Sequence, residues 1–477
     1  MRHNSQGPLR LLVVIASYGH DHDEYLRRLI QEYQSMPFNT HVIVCSNVEK
    51  RVPAGVELVV GLPNNDPWSL PFAHKKIFAE RAENYDLFIY SEDDTLATEQ
   101  NIEAFLRVLE VMPTDEIPGF LRYENRPDGT INFCDVNGHY HWDPASVVRY
   151  GKHTFAFFTN EHAAFYLLTQ DQLRRAIESG GFLVDVHRGK YDLACTAATD
   201  PYTQCGFRKL VCVSSLDDFM LHHLPDKYIG TRFGTHQSLF QKQRQALMQM
   251  SQGASQSDTF FQVETRLQDA WYSKDYYEPV RPEVVKEIPN STRAVLSIGC
   301  GSGETERWLA SRGAMVTAVC LDPIIGACAQ GQGIEAIWGN PEEVKRRLAG
   351  RSYDCLLLSN VLHLANDPAG LLGDLSYLLA PDGYCVVLVP NLRKVKNLVG
   401  KIRKDKAFQP IGNYAQSGTR DITVPALREW LTGVGIHLTK SNYLVGGDKR
   451  KLSRLALGLA DPLLATEIIV VGRKSPN

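Results

Sequence analysis

Short apolar runs alternate with helical periodicities along the 477-residue chain. Residues 9–16 read as a buried strand, closed by the turn Ser17-Tyr18-Gly19. Asp23 then opens a helix whose Leu26, Leu29, Ile30 and Tyr33 share one face. Residues 40–45 and 56–60 are two further apolar strands, 72–84 fit a helix, and 85–90 make a fourth strand. This alternation predicts a parallel, doubly wound sheet with its ligands at the carboxyl ends of the strands. The pattern restarts near residue 295, where 295–298 form a strand, 304–312 a helix carrying Trp308 and Leu309 inward, and 315–321 a second apolar run. Between the halves, 237–250 read as a polar helix and 251–258 are small, polar and aperiodic. The predicted organisation is a domain at 8–245, a linker over 246–262 and a domain at 263–477, with 260–288 as a helical preface.

Composition narrows the function classes. A formal charge of −3, from 51 basic and 54 acidic residues, gives no broad footprint for nucleic acid. Ten cysteines include no Cys-x-x-Cys pair and fall in apolar strands, so they read as small buried hydrophobes of a reducing, cytoplasmic compartment. The polar opening, residues 1–8, reads as frayed, and the run 9–16 is too short to span a bilayer. Residues 391–406 are rich in lysine and arginine beside Leu398, Val399 and Ile402. A solvated helix, a lid, or a contact to an anionic acceptor or membrane surface fits that stretch.

The second half carries the sharper motif. Gly299, Gly301 and Gly303 follow a strand directly, and glycine permits positive φ and close approach of a ligand to the main chain. Asp322 closes the next apolar run, where an acid holds a ribose. In these residues, and in 353–364, 379–384 and 385–390 after them, the chain resembles the class I S-adenosylmethionine-dependent methyltransferases over about 270–475. The resemblance implies a Rossmann-like domain binding S-adenosylmethionine through Gly299, Gly301, Gly303, Asp322, Asn340 and Ser359. Asn340 stands where the family often has an acid contacting adenine. His363, with Ser359 and Asn360, falls where the methyl acceptor should lie and could take a proton from a hydroxyl; a histidine packed at a helix start is the other reading. Tyr272, Tyr276 and Tyr277 are expected near the cofactor mouth.

In the first half the fourth strand runs into Ser91-Glu92-Asp93-Asp94-Thr95. Three adjacent carboxylates repel one another, so they are either a solvated loop in which Asp94 or Thr95 caps the next helix, or ligands for a divalent cation. The acids' place after the fourth strand resembles the Asp-x-Asp element of GT-A-type glycosyltransferases, with glutamate first, and the likeness extends over about 8–245. It implies a Mn2+ or Mg2+ site at Asp94 with His223 as a late ligand, preferred to His222. It also implies a nucleotide sugar against Ser17, Tyr18, Glu92 and Asp93, and Asp192 as general base with Asp185 as substitute; Lys75 and Lys76, on the helix before the acidic strand, could reach the donor's diphosphate or lie on a solvated face. Asp192 merely capping its helix stays open, as does His20 to Asp23 as a metal-binding or solvated helix start. Trp142 with residues 160–168 is either part of an acceptor pocket or core.

Together these readings give an α/β chain of two doubly wound domains, GT-A-like then Rossmann-like. The function expected from the resemblance is sugar transfer and O-methylation in bacterial surface glycan synthesis, on an acceptor that is free or lipid-linked. A methyltransferase with a non-catalytic glycan-binding module is the alternative. A methyltransferase for nucleic acid or a quinone-like molecule fits less well with the charge balance and the fused sheet domain.

Overall fold

The computed structural model describes residues 7–253, 259–260 and 262–476. The chain divides into two compact units, 1–253 and 254–477. In the first, β1 (Arg10–Ser17), β2 (Asn39–Ser46), β3 (Glu57–Val60), β4 (Leu87–Glu92) and β5 (Phe165–Thr169) form one sheet in the order β5-β4-β1-β2-β3. All neighbours are parallel except β5 against β4. Leu11 to Ile15 are wholly buried, as near-continuous apolar strands are when both faces of a sheet are covered. Register places Ala16 opposite Glu92, so β1 and β4 end side by side.

The helix Asp23–Ser35 buries Leu26, Leu29, Ile30 and Tyr33 on the face its periodicity marks. The helix expected over 72–84 is shorter, Ala73–Glu80, because Pro67–Phe72 takes a tight 3-10 turn containing Pro71. After β4 the chain makes the short strand Thr95–Leu96, and Thr98, not Asp94 or Thr95, starts the helix Glu99–Leu109. Asn101 Oδ1 accepts the Thr98 N–H at 2.8 Å. The strand Met220–His223 pairs antiparallel with Thr95–Leu96, and that register sets His223 opposite Thr95, next to the acids. Trp142 is buried against Phe158 and Phe240, so it belongs to the core.

The second unit holds a seven-stranded sheet of β6 (Ala294–Cys300), β7 (Met315–Cys320), β8 (Ile334–Ile337), β9 (Tyr353–Ser359), β10 (Leu379–Pro390), β11 (Ile436–Leu444) and β12 (Glu467–Lys474). Their order is β8-β7-β6-β9-β10-β12-β11, parallel through β10 and antiparallel at β12 and β11. All ten cysteines are free, and nine are buried. The described residues of 260–288 do not form the expected helical preface. Asp269, Ala270 and Tyr272 have φ of 49°, 48° and 67°, and the one α-helical turn among the described residues there, Pro282–Val285, begins at a proline. Left-handed residues and prolines cannot continue a helix, so this segment lies as an irregular strap.

The helix Gln237–Met250 runs through the start of the expected linker, and residues 254–258 and 261 of that linker lie outside the described residues, as do 1–6 of the polar opening. Among the described residues no helix is long and apolar enough to cross a membrane.

Candidate functional site

The acidic turn of the first unit is pinned to the end of β1 by the Asp93 N–H, which donates to the Ala16 carbonyl at 3.2 Å. Ser17 Oγ donates to one Asp93 oxygen at 2.6 Å, and His22 Nδ1 lies 2.9 Å from the other. The same nitrogen is 3.9 Å from Asp94, whose Oδ2 is 3.4 Å from His223 Nε2. Behind it, His223 Nδ1 meets the fully buried Glu124 at 2.7 Å. Ligand atoms of His22, Asp93 and Asp94 all lie within 4.8 Å of one another, as do those of Glu124, Cys134 and His223.

Burial pushes the Asp93 carboxyl up despite its bonds from His22 and Ser17. Burial acts the same way on Asp94, but the bond and charge of His223 outweigh it and hold Asp94 well below the usual carboxylate range. The bond to Asp93 raises His22; burial opposes the charged form of His223, yet its bonds to Asp94 and Glu124 raise it. Histidines drawn toward protonation by buried acids form a set that can exchange protons for a cation, since metal ligation needs neutral imidazole and ionised carboxylate. This donor set of two carboxylates and imidazole nitrogen fits a divalent cation.

The other expected residues fall differently. Glu92 is half-buried, 3.7 Å from His162 Nε2. Tyr18 is exposed, and the Ser17 hydroxyl is committed to Asp93. Lys75 does not reach toward a diphosphate: it is 3% exposed and turned inward onto Asp200, whose other oxygen is 3.4 Å from His187 Nε2. The neighbouring Lys76 takes the solvated face and pairs with Glu80. Asp192 is exposed and caps the helix Leu193–Thr203, accepting the Cys195 N–H at 2.9 Å.

In the second unit β6 runs into the glycine turn. Gly299 and Gly303 have φ of 82° and 88°. A Cβ on Gly301 would stand 2.3 Å from the Tyr276 carbonyl, and one on Gly299 2.1 Å from a Val361 methyl. Ser302 N–H donates to that same Tyr276 carbonyl at 2.7 Å, so the strap is laced to the turn. Beside it opens a narrow cleft lined by residues 297–306, Leu357, Ser359, Lys274 and Glu278. Lys274 Nζ donates to Glu278 at 2.5 Å and to the Ser359 carbonyl at 2.9 Å. Arg281 bridges Glu278 and Glu467, and the Asn360 amide donates to both acids, at 3.3 and 3.0 Å. A bare backbone turn beside a buried ammonium and carboxylate suits a nucleoside with a zwitterionic amino-acid tail and a sulfonium.

Asp322 and Asn340 are found as helix caps. The Asp322 carboxylate, buried, accepts the Ile324 and Ile325 N–H groups at 2.7 and 2.8 Å, and it does not line the cleft. The strand ends at Cys320, two residues before it. Asn340 accepts the Glu343 N–H at 3.0 Å while the Glu343 carboxylate accepts the Asn340 N–H, a reciprocal cap. His363 is buried, with Nε2 2.8 Å from the Tyr272 carbonyl. A carbonyl only accepts, so Nε2 carries the proton and Nδ1 the lone pair, which has no hydrogen-bond partner among the described residues. Burial pushes His363 down to about 4, keeping it neutral.

A family model described as a methyltransferase domain matches residues 258–434. A ubiquinone biosynthesis O-methyltransferase of Xylella fastidiosa (strain 9a5c) is 28% identical over 169 residues, 34% of this chain and 68% of that protein. Among solved structures, an S-adenosylmethionine-dependent methyltransferase from Mesorhizobium loti is 18% identical, covers 40% of this chain and 96% of that one, and has a TM-score of 0.30. One from Archaeoglobus fulgidus is 16% identical over 40% of this chain and 91% of that one, with a TM-score of 0.32. With a glycine turn at the end of β6 and a family match spanning it, residues 258–434 of the second unit are a class I S-adenosylmethionine-dependent methyltransferase domain.

Proposed function

We propose that the chain is a bifunctional transferase of glycan assembly, adding a sugar from a nucleotide donor in its first unit and methylating a sugar hydroxyl in its second. The observation that carries the first half is the meeting of His22, Asp93, Asp94 and His223 at the joined ends of β1 and β4. Ligands of a parallel doubly wound sheet collect at this end. Mn2+ or Mg2+ there would neutralise charge on a diphosphate leaving group. Asp94 would hold the cation with His223 or His22, and Glu92 would face the donor. Asp192 would take the acceptor's proton, its capping bond engaging one carboxylate oxygen.

In the second unit S-adenosylmethionine supplies a methyl group on a positively charged sulfur. Gly299, Gly301 and Gly303 would carry its nucleoside, Glu278 would face its cationic groups, Lys274 its carboxylate, and Ser359 the rim. Neutral His363 offers a lone pair for the hydroxyl proton. The Xylella relative's printed name concerns O-methylation, which supports oxygen as the acceptor atom. A free or lipid-linked glycan met in the cytoplasm is the acceptor in this reading.

The test is turnover of a panel of nucleotide sugars with manganese. We expect donor hydrolysis or transfer that falls about 100-fold in EDTA or in Asp94→Ala. Turnover unchanged in both would remove the metal role. A methyltransferase with a non-catalytic glycan-binding first unit is the second reading, favoured by the use of Asp192 as a helix cap. Methylation of a supplied glycan with no donor turnover at all would select it.

A further inference from the structure

We propose that the methyltransferase unit docks on an anionic lipid surface through two neighbouring segments at the cofactor end of its sheet. The first is the connection between β11 and β12. Leu455, Leu457 and Leu459 in it are 83, 88 and 87% exposed, and Leu452 and Leu463 are exposed beside them. Leucines this bare and this close together are not ordinary surface, where apolar side chains occur singly. Lys449, Arg450, Lys451 and Arg454 are interleaved with them and also exposed. The second segment is the helix Val395–Ile402, which shows Val395, Val399 and Ile402 at helical spacing, Ile402 80% exposed. Residues 393–406 carry seven lysines and arginines against Asp405 alone.

The two segments are tied together. The Asn391 amide, which leads into that helix, donates to the Pro462 and Ala465 carbonyls at 2.8 and 3.0 Å. Both lie at one end of the sheet: Pro390 ends β10 opposite Glu467, and Leu444 ends β11 opposite the same residue. Glu467 in turn bonds Arg281 and Asn360 at the cleft. The patch therefore flanks the mouth of the cofactor site.

Charge decides what covers it. A second copy of the chain would set these basic residues against themselves, and a nucleic acid would leave the leucines in water. An anionic bilayer satisfies both, its headgroups meeting the lysines and arginines while leucines enter the acyl boundary. The proposal stands apart from the sugar-transfer reading, because vesicle binding requires no turnover.

Sedimentation of the full chain with vesicles of phosphatidylglycerol and phosphatidylcholine, against phosphatidylcholine alone, tests it. We expect binding about ten-fold stronger to the anionic vesicles. We expect it to weaken about ten-fold or more both in Leu455→Ser/Leu457→Ser/Leu459→Ser and in Arg450→Glu/Lys451→Glu/Arg454→Glu. These side chains are exposed, so the variants should melt like the parent and bind S-adenosylmethionine equally. No vesicle binding by the parent, or equal binding by the leucine variant, overturns the proposal. Self-association of the parent that the leucine variant loses, without vesicle binding, assigns the patch to a second copy and overturns it too.

Discussion

At the ends of β1 and β4 the groups that gather are side chains; at the end of β6 they are main chain. The first arrangement concentrates charge: two buried carboxylates, two histidines drawn toward protonation, and Lys75 and Asp200 paired in the same unit's interior. The second holds its charge in the Lys274–Glu278 pair, Arg281 and the acids Glu304 and Glu306, and sets a residue without Cβ at every second position of the turn. A charged cluster can be retuned by changing one partner, but each partner depends on the other. A glycine turn is indifferent to pH and intolerant of a single added carbon.

The dependence of buried partners gives the largest expected effect. Burial pushes Lys75 down and Asp200 up, so desolvation works against both charges and their mutual contact is the chief offset. Lys75→Met leaves the wholly buried Asp200 with only the charge of His187 and a bond from Thr203. We expect the first unit to lose about 4 kcal/mol in denaturant titration, with the second unit's transition unmoved. A loss under about 1 kcal/mol would mean that Asp200 is held neutral in the fold, and that the first unit's interior is less ionic than its geometry implies.

The second unit's buried ionisable group behaves in the opposite sense, because His363 is kept uncharged. Its folded value of about 4 lies below the ordinary value of about 6.5 for an unfolded histidine. Below about pH 6.5 the unfolded chain therefore takes up a proton that the folded chain refuses. Stability is complete above that pH, falls progressively as pH drops toward 4, and is about 3 kcal/mol lower below 4. His139 and His141, also held near 4 chiefly by burial, pull the first unit the same way, while His22 and His223 oppose them. The measurement is thus the second unit's transition in parent and His363→Gln between pH 4 and 7. We expect the variant's curve to be flatter, and parallel curves would show that His363 is already solvated.

Much of this was legible from the chain itself. Buried parallel strands leave near-continuous apolar runs such as residues 11–15, and a strand running into Gly299, Gly301 and Gly303 announces a turn where backbone must be bare. Local pattern could not tell Lys75 from Lys76. One faces in and the other out, and the partner that decides it, Asp200, lies 125 residues away. Glu278 and Arg281 sit in a segment whose tyrosine spacing mimics a helix, while Glu467, which completes their network, is 186 residues from Arg281. Positive φ at Asp269, Ala270 and Tyr272 has no marker in side chains of those types. The capping role of Asp322 was hidden for a subtler reason: the apolar run continues through Leu321, yet pairing stops at Cys320, so the acid falls on the helix start beyond the strand.

Gly301→Val tests the main-chain side of the comparison directly. The added carbon meets the Tyr276 carbonyl, an atom of the backbone that cannot rotate away, so the strap must lift from the turn. Isothermal titration should show S-adenosylmethionine affinity reduced about 100-fold, with the first unit's unfolding transition unaltered. If affinity survives, the cofactor is held by the rim pair, and Lys274→Met or Glu278→Gln should then abolish what the glycine change did not.

The smallest effect separates a capping acid from a ligand-binding one. Asp322 accepts two main-chain N–H groups at the start of the helix Pro323–Ala329, a role that an asparagine oxygen also performs. Asp322→Ala should cost the second unit about 1 kcal/mol, and Asp322→Asn little, because Asn and Asp are comparable at this position. If the residue only orients the helix, S-adenosylmethionine affinity follows stability and Asp322→Asn binds like the parent. If its charge also grips the ribose, Asp322→Asn is as stable as the parent yet binds as weakly as Asp322→Ala. One carboxylate oxygen already accepts both main-chain N–H groups of the helix start, so we expect the first pattern. The second would return a side chain to a site otherwise built of backbone and narrow the contrast with the acidic cluster at the end of β4.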